Sequence, residues 1–146
     1  ALTYNWGCFI GWAALGSNIP FSSIFILYLS LIFWTLAYDT IYATQDEKED
    51  KNLNLYSSTL LFGSKKMIFL NLMIITKYFL IIFYGSSLDF GFIFNILVLT
   101  ISLINLLDLN LIWKNKPENA SSYFSRNNYY GISLLFSILI GSHFNV

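Results

Sequence analysis

The chain has 146 residues, of which 56% are hydrophobic, 19% aromatic and 11% charged, and its acidic and basic residues cancel to a net charge of zero. An average soluble domain carries about 25% charged residues; a soluble fold of this composition could not hide its apolar surface, and the bilayer is the solvent that accounts for it. Neutrality without a basic, aromatic-laced patch excludes a nucleic-acid-binding protein, and the single Cys8 excludes a disulfide framework and a zinc site.

Five apolar segments follow in chain order, over residues 2–15, 21–42, 67–84, 90–113 and 129–144. The expected fold is therefore all-α, a multi-pass transmembrane helical bundle of about five spans. The second and fourth segments exceed the roughly 20 residues that a helix needs to cross the hydrocarbon, whereas the first and last are shorter. Ala1 stands inside an apolar stretch with neither an initiator Met nor a basic leader region, so the chain is expected to be a fragment. Turn residues separate the segments: Gly16, Ser17, Asn18 and Pro20 precede the second, Gly85, Ser86 and Ser87 end the third, and Asn115, Pro117 and Asn119 follow the fourth.

Lys48, Lys51, Lys65 and Lys66 fall in the loop after the second span, and Lys114, Lys116 and Arg126 follow the fourth. The opposite loops hold no Lys or Arg, so the positive-inside rule places both charged loops in the cytoplasm or its organellar equivalent.

Between these landmarks the densest polar stretch runs out of the second span, Tyr38-Asp39-Thr40-Ile41-Tyr42-Ala43-Thr44-Gln45-Asp46-Glu47-Lys48-Glu49-Asp50, without a break residue. A helix continuing through it would put Asp39, Asp46 and Asp50 at 0°, about 340° and about 20°, one stripe of carboxylates with Tyr42 beside it. Like charges on one helix face repel, and an Asp inside the span adds a cost of about 2.5 kcal/mol or more at mid-bilayer, so a cation should compensate. Mg²⁺ suits such a site because it takes one or two carboxylates, waters and a substrate phosphate. For the 46–50 run alone, a solvated acidic loop is an equally good reading; Asp39, one to two turns inside the membrane edge, favours function.

Those residues resemble the second aspartate-rich motif, D-x-x-Y-A-x-x-D-x-x-x-D, of the UbiA-type intramembrane prenyltransferases that act on 4-hydroxybenzoate. Asn5-Trp6-Gly7 and Gly11-Trp12-Ala13-Ala14 upstream are similar to that family's preceding segment. Ser57-Ser58-Thr59-Leu60-Leu61-Phe62-Gly63 resembles its K-S-T-x-x-L-F-G stretch, and Pro117-Glu118, Phe124, Asn127 and Gly131 fall at the spacing of its last inter-helix loop. The resemblance covers nearly the whole chain and implies that residues 1–146 form one partial domain, the C-terminal half of a larger bundle, with a charged cap loop at 44–66. The first aspartate motif, N-D-x-x-D-x-x-x-D, does not occur in the sequence, so the fragment is expected to be inactive by itself.

Transfer of a polyprenyl group from polyprenyl diphosphate to an aromatic acid, 4-hydroxybenzoate first, in ubiquinone biosynthesis, is the activity the resemblance implies, in a bacterial or mitochondrial inner membrane. It makes Asp39 and Tyr42 the catalytic candidates, near the reacting carbon and ring. Asp46 and Asp50 are then the Mg²⁺ ligands and bind diphosphate together with Lys51, Ser57 and Ser58. The sequence departs from the pattern at Tyr56, where the family has a Lys, with Asn54 in place of a Gly and Ser58 of a Thr. Either Lys51 or Lys65 supplies the missing cation, or the loop binds diphosphate through the remaining hydroxyls and Mg²⁺, or this variant is weaker.

The rival class is a transport or channel protein that uses Asp39, Lys77 and Asp108 as an intramembrane ion path. Lys77 stands eleven positions after Lys66, about 16 Å along a helix, and either pairs with a carboxylate such as Asp108 or marks a misdrawn span boundary. Asn105 and Asp108 share a helix face and either line the Asp39 cavity or bond to a neighbouring helix. Tyr4, Trp34, Trp113, Tyr129 and Tyr130 read as an interfacial aromatic belt. His143 reads as a surface residue and Cys8 as packing, and the Asn119-Ala120-Ser121 glycosylation triplet falls on the wrong side of the membrane to be used.

Overall fold

The computed structural model describes residues 1–16, 18–115 and 120–143. After a 3₁₀ turn at Tyr4–Trp6 come α1 (Gly7–Ala14), α2 (Phe21–Ala43), α3 (Glu47–Asn52), α4 (Ser58–Phe62), a second 3₁₀ turn at Gly63–Lys65, α5 (Lys66–Ser86), α6 (Phe92–Asn115) and α7 (Ala120–His143). The architecture is an all-α bundle, as the sequence predicts, and each apolar segment carries a helix, although α1 covers only Gly7–Ala14 of the first and α7 begins well before the last. Among the described residues three stretches are long and apolar enough to cross a membrane: Phe21–Ala43, Ser58–Ser86 and Phe92–Ile112. In α7 the polar run Ser121 to Asn128 lowers the hydropathy of its first half, and α1 has only 8 residues.

The main packing seams join α2 to α5, α5 to α6 and α6 to α7, and α7 closes back onto α2. Their shared core holds Ala37, Ile41, Leu70, Ile74, Tyr78, Phe94, Val98, Leu109 and Leu134. Apolar side chains on the opposite faces, including Phe79, Phe83, Leu103, Leu107 and Phe136, are exposed. A helix that is apolar on both its packed and its unpacked face fits a lipid surround rather than water.

Gly85 lets α5 and α6 approach: a Cβ there would stand 2.1 Å from Cε1 of Phe94, which is fully buried. Polar bonds fasten α6 to α7. Tyr123 Oη donates to Asn105 Oδ1 at 2.6 Å, Tyr130 Oη donates to Asp108 Oδ2 at 2.8 Å, and Arg126 forms an ion pair with Asp108. Each such interhelical bond contributes roughly 0.6 kcal/mol in a membrane. Asn105 and Asp108 thus serve helix pairing rather than the Asp39 cavity. Asp108 is the partner of Arg126 and not of Lys77.

Candidate active site

The helix that carries the acidic motif stops sooner than its sequence predicts. α2 ends at Ala43, where Thr44 N–H and Gln45 N–H close onto the carbonyls of Ile41 and Tyr42 and Thr44 Oγ1 also donates to Ile41 O at 2.6 Å. Asp46 then takes φ −96° and ψ 4° as the residue before α3. A hydroxyl that bonds its own backbone competes with the next helical turn. The single stripe of Asp39, Asp46 and Asp50 expected from an unbroken helix is therefore not formed: Asp39 belongs to α2, while Asp46 and Asp50 belong to the cap.

Asp39 is exposed in a cleft of about 430 Å³ whose other walls include Tyr38, Trp34, Thr35, Asn5 and Asn127. The walls are tied together across the bundle. Asn5 Nδ2 donates to Thr35 Oγ1 at 2.8 Å, and Trp34 Nε1 donates to Asn127 Oδ1 at 3.0 Å. Phe124 of α7 stacks on Tyr38 with centroids 4.1 Å apart and leans on Tyr42 at 5.6 Å. Tyr42 itself is exposed, so it stands on the rim beside Phe124 rather than in the cleft wall. Aromatic rings, amide groups and one carboxylate together suit a planar aromatic ligand with a polar substituent.

Trp34 and Tyr130 depart from the aromatic belt expected of them. Trp34 is a half-buried wall residue in mid-helix, and Tyr130 is buried with its hydroxyl on Asp108. Tyr4 and Tyr129 remain exposed. Lys77 is buried at 2% exposure, with Nζ 4.4 Å from the centroid of Trp34 and 4.0 Å from that of Tyr78. A charge at mid-bilayer costs about 2.5–3.5 kcal/mol on insertion scales, and a desolvated cation–π contact returns about 2 kcal/mol. The boundary of α5 lies eleven positions away at Lys66, so Lys77 is a true mid-helix residue.

The second cluster is the cap. α3 ends in a Schellman turn: Leu55 N–H donates to Asp50 O at 2.9 Å and Asn54 N–H to Lys51 O at 3.4 Å, with Asn54 at φ 52°. Asn tolerates that left-handed conformation better than other side-chain-bearing residues, which explains why it can stand where the motif resembled has Gly. The turn brings Lys51, Tyr56, Ser57 and Ser58 around one open cleft of about 870 Å³. Ser57 Oγ and Thr59 Oγ1 share a hydrogen bond at 3.0 Å, and Thr59 Oγ1 donates to Ala43 O at 3.5 Å, joining α4 to the end of α2. An ion pair between Lys66 and Glu47 holds the cap to the start of α5. Tyr56 is fully exposed, and of the two substitute cations Lys51 lines this cleft whereas Lys65 does not.

Asp46 is exposed and Asp50 half-buried, one helical turn apart through the bond from Asp50 N–H to Asp46 O at 2.8 Å. Among the described residues no group of three His, Cys, Asp or Glu side chains could hold a metal ion. The pair fits an ion that takes only one or two protein carboxylates and completes its shell with water and phosphate, as Mg²⁺ does.

Asp39, Lys77 and Asp108 occupy three separate surroundings, namely an open cleft, an aromatic sandwich and an ion pair with Arg126. Nothing described links them into an ion path. His143 is exposed and Cys8 half-buried, as expected. The Asn119 triplet, Pro117-Glu118 and the side chains of Trp113, Lys114 and Lys116 lie outside what the structure describes.

Residues 1–136 match the family model described as the UbiA prenyltransferase family. A 4-hydroxybenzoate octaprenyltransferase from Francisella tularensis subsp. novicida is 33% identical over 139 residues, covering 95% of this chain and 49% of that protein. A 4-hydroxybenzoate geranyltransferase 2 from Lithospermum erythrorhizon is 32% identical over 146 residues, covering 96% of this chain and 46% of its own length. The chain thus spans about half the length of the curated relatives it matches. No solved structure matches it. With the match running over nearly the whole chain, this protein belongs to the UbiA prenyltransferase family.

Proposed function

We propose that the full-length protein transfers a polyprenyl group from its diphosphate to an aromatic acid inside a bacterial or mitochondrial inner membrane, with the 44–66 cap on the cytoplasmic or matrix side. The acceptor is 4-hydroxybenzoate, the substrate named for its relatives, and the product enters ubiquinone biosynthesis. What supports the reading is one motif with a cleft at each end: Asp39 among aromatic and amide walls, and Lys51, Ser57 and Ser58 lining a cleft in the same loop as Asp46 and Asp50, neither of which lines it.

In this reading the Lys51 ammonium and the Ser57 and Ser58 hydroxyls bind the diphosphate, and Lys51 does the work of the Lys that Tyr56 replaces. Asp46 and Asp50 would hold Mg²⁺, which when bound supplies neutralisation of the charge on the leaving diphosphate. Asp39 accepts a hydrogen bond from the acceptor hydroxyl; as a ring carbon bonds to the allylic carbon the allylic C–O bond to diphosphate breaks, and Asp39 takes the proton that this ring carbon sheds as aromaticity returns. Tyr38, Trp34 and Phe124 exclude water, which would otherwise capture the electron-deficient carbon. Tyr42 closes the rim over the reacting ring.

The reading is tested with full-length protein in liposomes, polyprenyl diphosphate and labelled 4-hydroxybenzoate. Prenylated product is expected, with at least a hundred-fold loss on chelation of divalent ions and recovery on adding Mg²⁺. Product formation unaffected by chelation would remove the metal role, and failure to prenylate any aromatic acid would remove the function.

A further inference from the structure

Lys77 has no place in the chemistry above, yet it is a fully buried cation at the middle of a span. Its ammonium lies over two rings, and the ion pairs among the described residues, Lys66 with Glu47 and Arg126 with Asp108, do not include it. One of those rings, Trp34, is a wall of the Asp39 cleft and donates its indole N–H to Asn127 of α7. The same indole is bounded by Gly131, where a Cβ would come within 3.2 Å of Trp34 Cη2. Three contacts from two helices therefore fix one ring: a cation over its π system from α5, and a hydrogen-bond acceptor and a bare backbone from α7.

Packing alone would need an apolar side chain at position 77, and Leu or Met would fill that space without the cost of a buried charge. What an ammonium adds is a directional attraction to the face of the indole, strongest where water is excluded. We propose that Lys77 is a positioning residue for the aromatic acceptor, holding the Trp34 indole in the orientation that shapes the cleft opposite Asp39. It acts through Trp34 and does not touch the acceptor. The proposal rests on the reading of that cleft as the acceptor site.

The test uses full-length protein in lipid nanodiscs, labelled with 5-fluorotryptophan, the Trp34 resonance being assigned from its loss in Trp34→Phe. Lys77→Met should shift or broaden that resonance and raise KM for 4-hydroxybenzoate at least five-fold, leaving kcat and KM for the diphosphate within two-fold. Lys77→Arg, which keeps a ring-stacking cation, should restore the acceptor KM to within two-fold of wild type. In a Trp34→Leu background Lys77→Met should add no further change. Where Lys77→Met does not accumulate, Lys77→Gln removes the charge with a polar tip retained and reads the same split.

An unmoved Trp34 resonance, an equal fall in kcat for every substrate, or an additive effect on Trp34→Leu would each overturn the positioning role. A wild-type protein that prenylates no aromatic acid would overturn the functional reading instead, and the Trp34 resonance would still report whether Lys77 holds the indole.

Discussion

Asp39 and Asp46 are seven positions apart in one motif, but the break after Ala43 puts them in different surroundings. Asp39 is exposed within the cleft and makes no ion pair among the described residues, so its carboxylate is free to act on a ligand and does little for the fold. Asp39→Asn should therefore lower prenyl-transfer kcat/KM on the order of a hundred-fold, equivalent to about 2.7 kcal/mol, with the melting temperature unchanged. An activity within three-fold of wild type would assign the residue a solvated role. At this scale the sequence showed which residues carry charge into the membrane, and the Asp39 and Lys77 readings both rest on that. It did not show their partners. Lys77 meets Trp34 across 43 positions and Asp108 meets Arg126 across 18, and no spacing rule within one helix reports contacts between helices. The burial of Trp34 was hidden for the same reason, since an aromatic residue in an apolar run is equally suited to a lipid interface or a cavity wall.

The helices themselves were legible, because long apolar runs bounded by Gly, Ser, Asn and Pro leave little choice in a bilayer. The cap was not. Its two short helices, the Thr44 side-chain bond and the Schellman turn at Asn54 depend on local hydrogen bonds that charge spacing does not encode. Asn54 supplies a test at this scale: Asn54→Gly should leave stability unchanged or raise it by a few tenths of a kcal/mol, whereas Asn54→Val should cost about 1–2 kcal/mol and weaken diphosphate binding through the Lys51 turn. Equal stability of the two variants in thermal unfolding would contradict the turn geometry. Between the long helices, Gly85→Ala forces a methyl against the buried ring of Phe94. That overpacking should cost about 1–3 kcal/mol, read as a lowered unfolding midpoint in mild detergent, while Gly7→Ala, with open space around it, should leave the midpoint in place.

Taken as a whole, the molecule is a helical bundle with apolar side chains exposed on the outer faces of its long helices. The seams from α2 through α5 and α6 to α7 build the frame, and the Asp39 cleft and the cap are carried on it. The family was legible in the sequence from one twelve-residue motif and its flanking segments, and the match over residues 1–136 bears that out. The unbroken carboxylate stripe was not borne out, because a motif fixes which residues recur and leaves open where the backbone turns between them. The proposed service of the cap carboxylates to a diphosphate is read out by the double variant Asp46→Asn/Asp50→Asn in the full-length protein. At least a hundred-fold loss of prenyl transfer to 4-hydroxybenzoate is expected with the unfolding midpoint preserved; transfer within two-fold of wild type would rule the diphosphate role out.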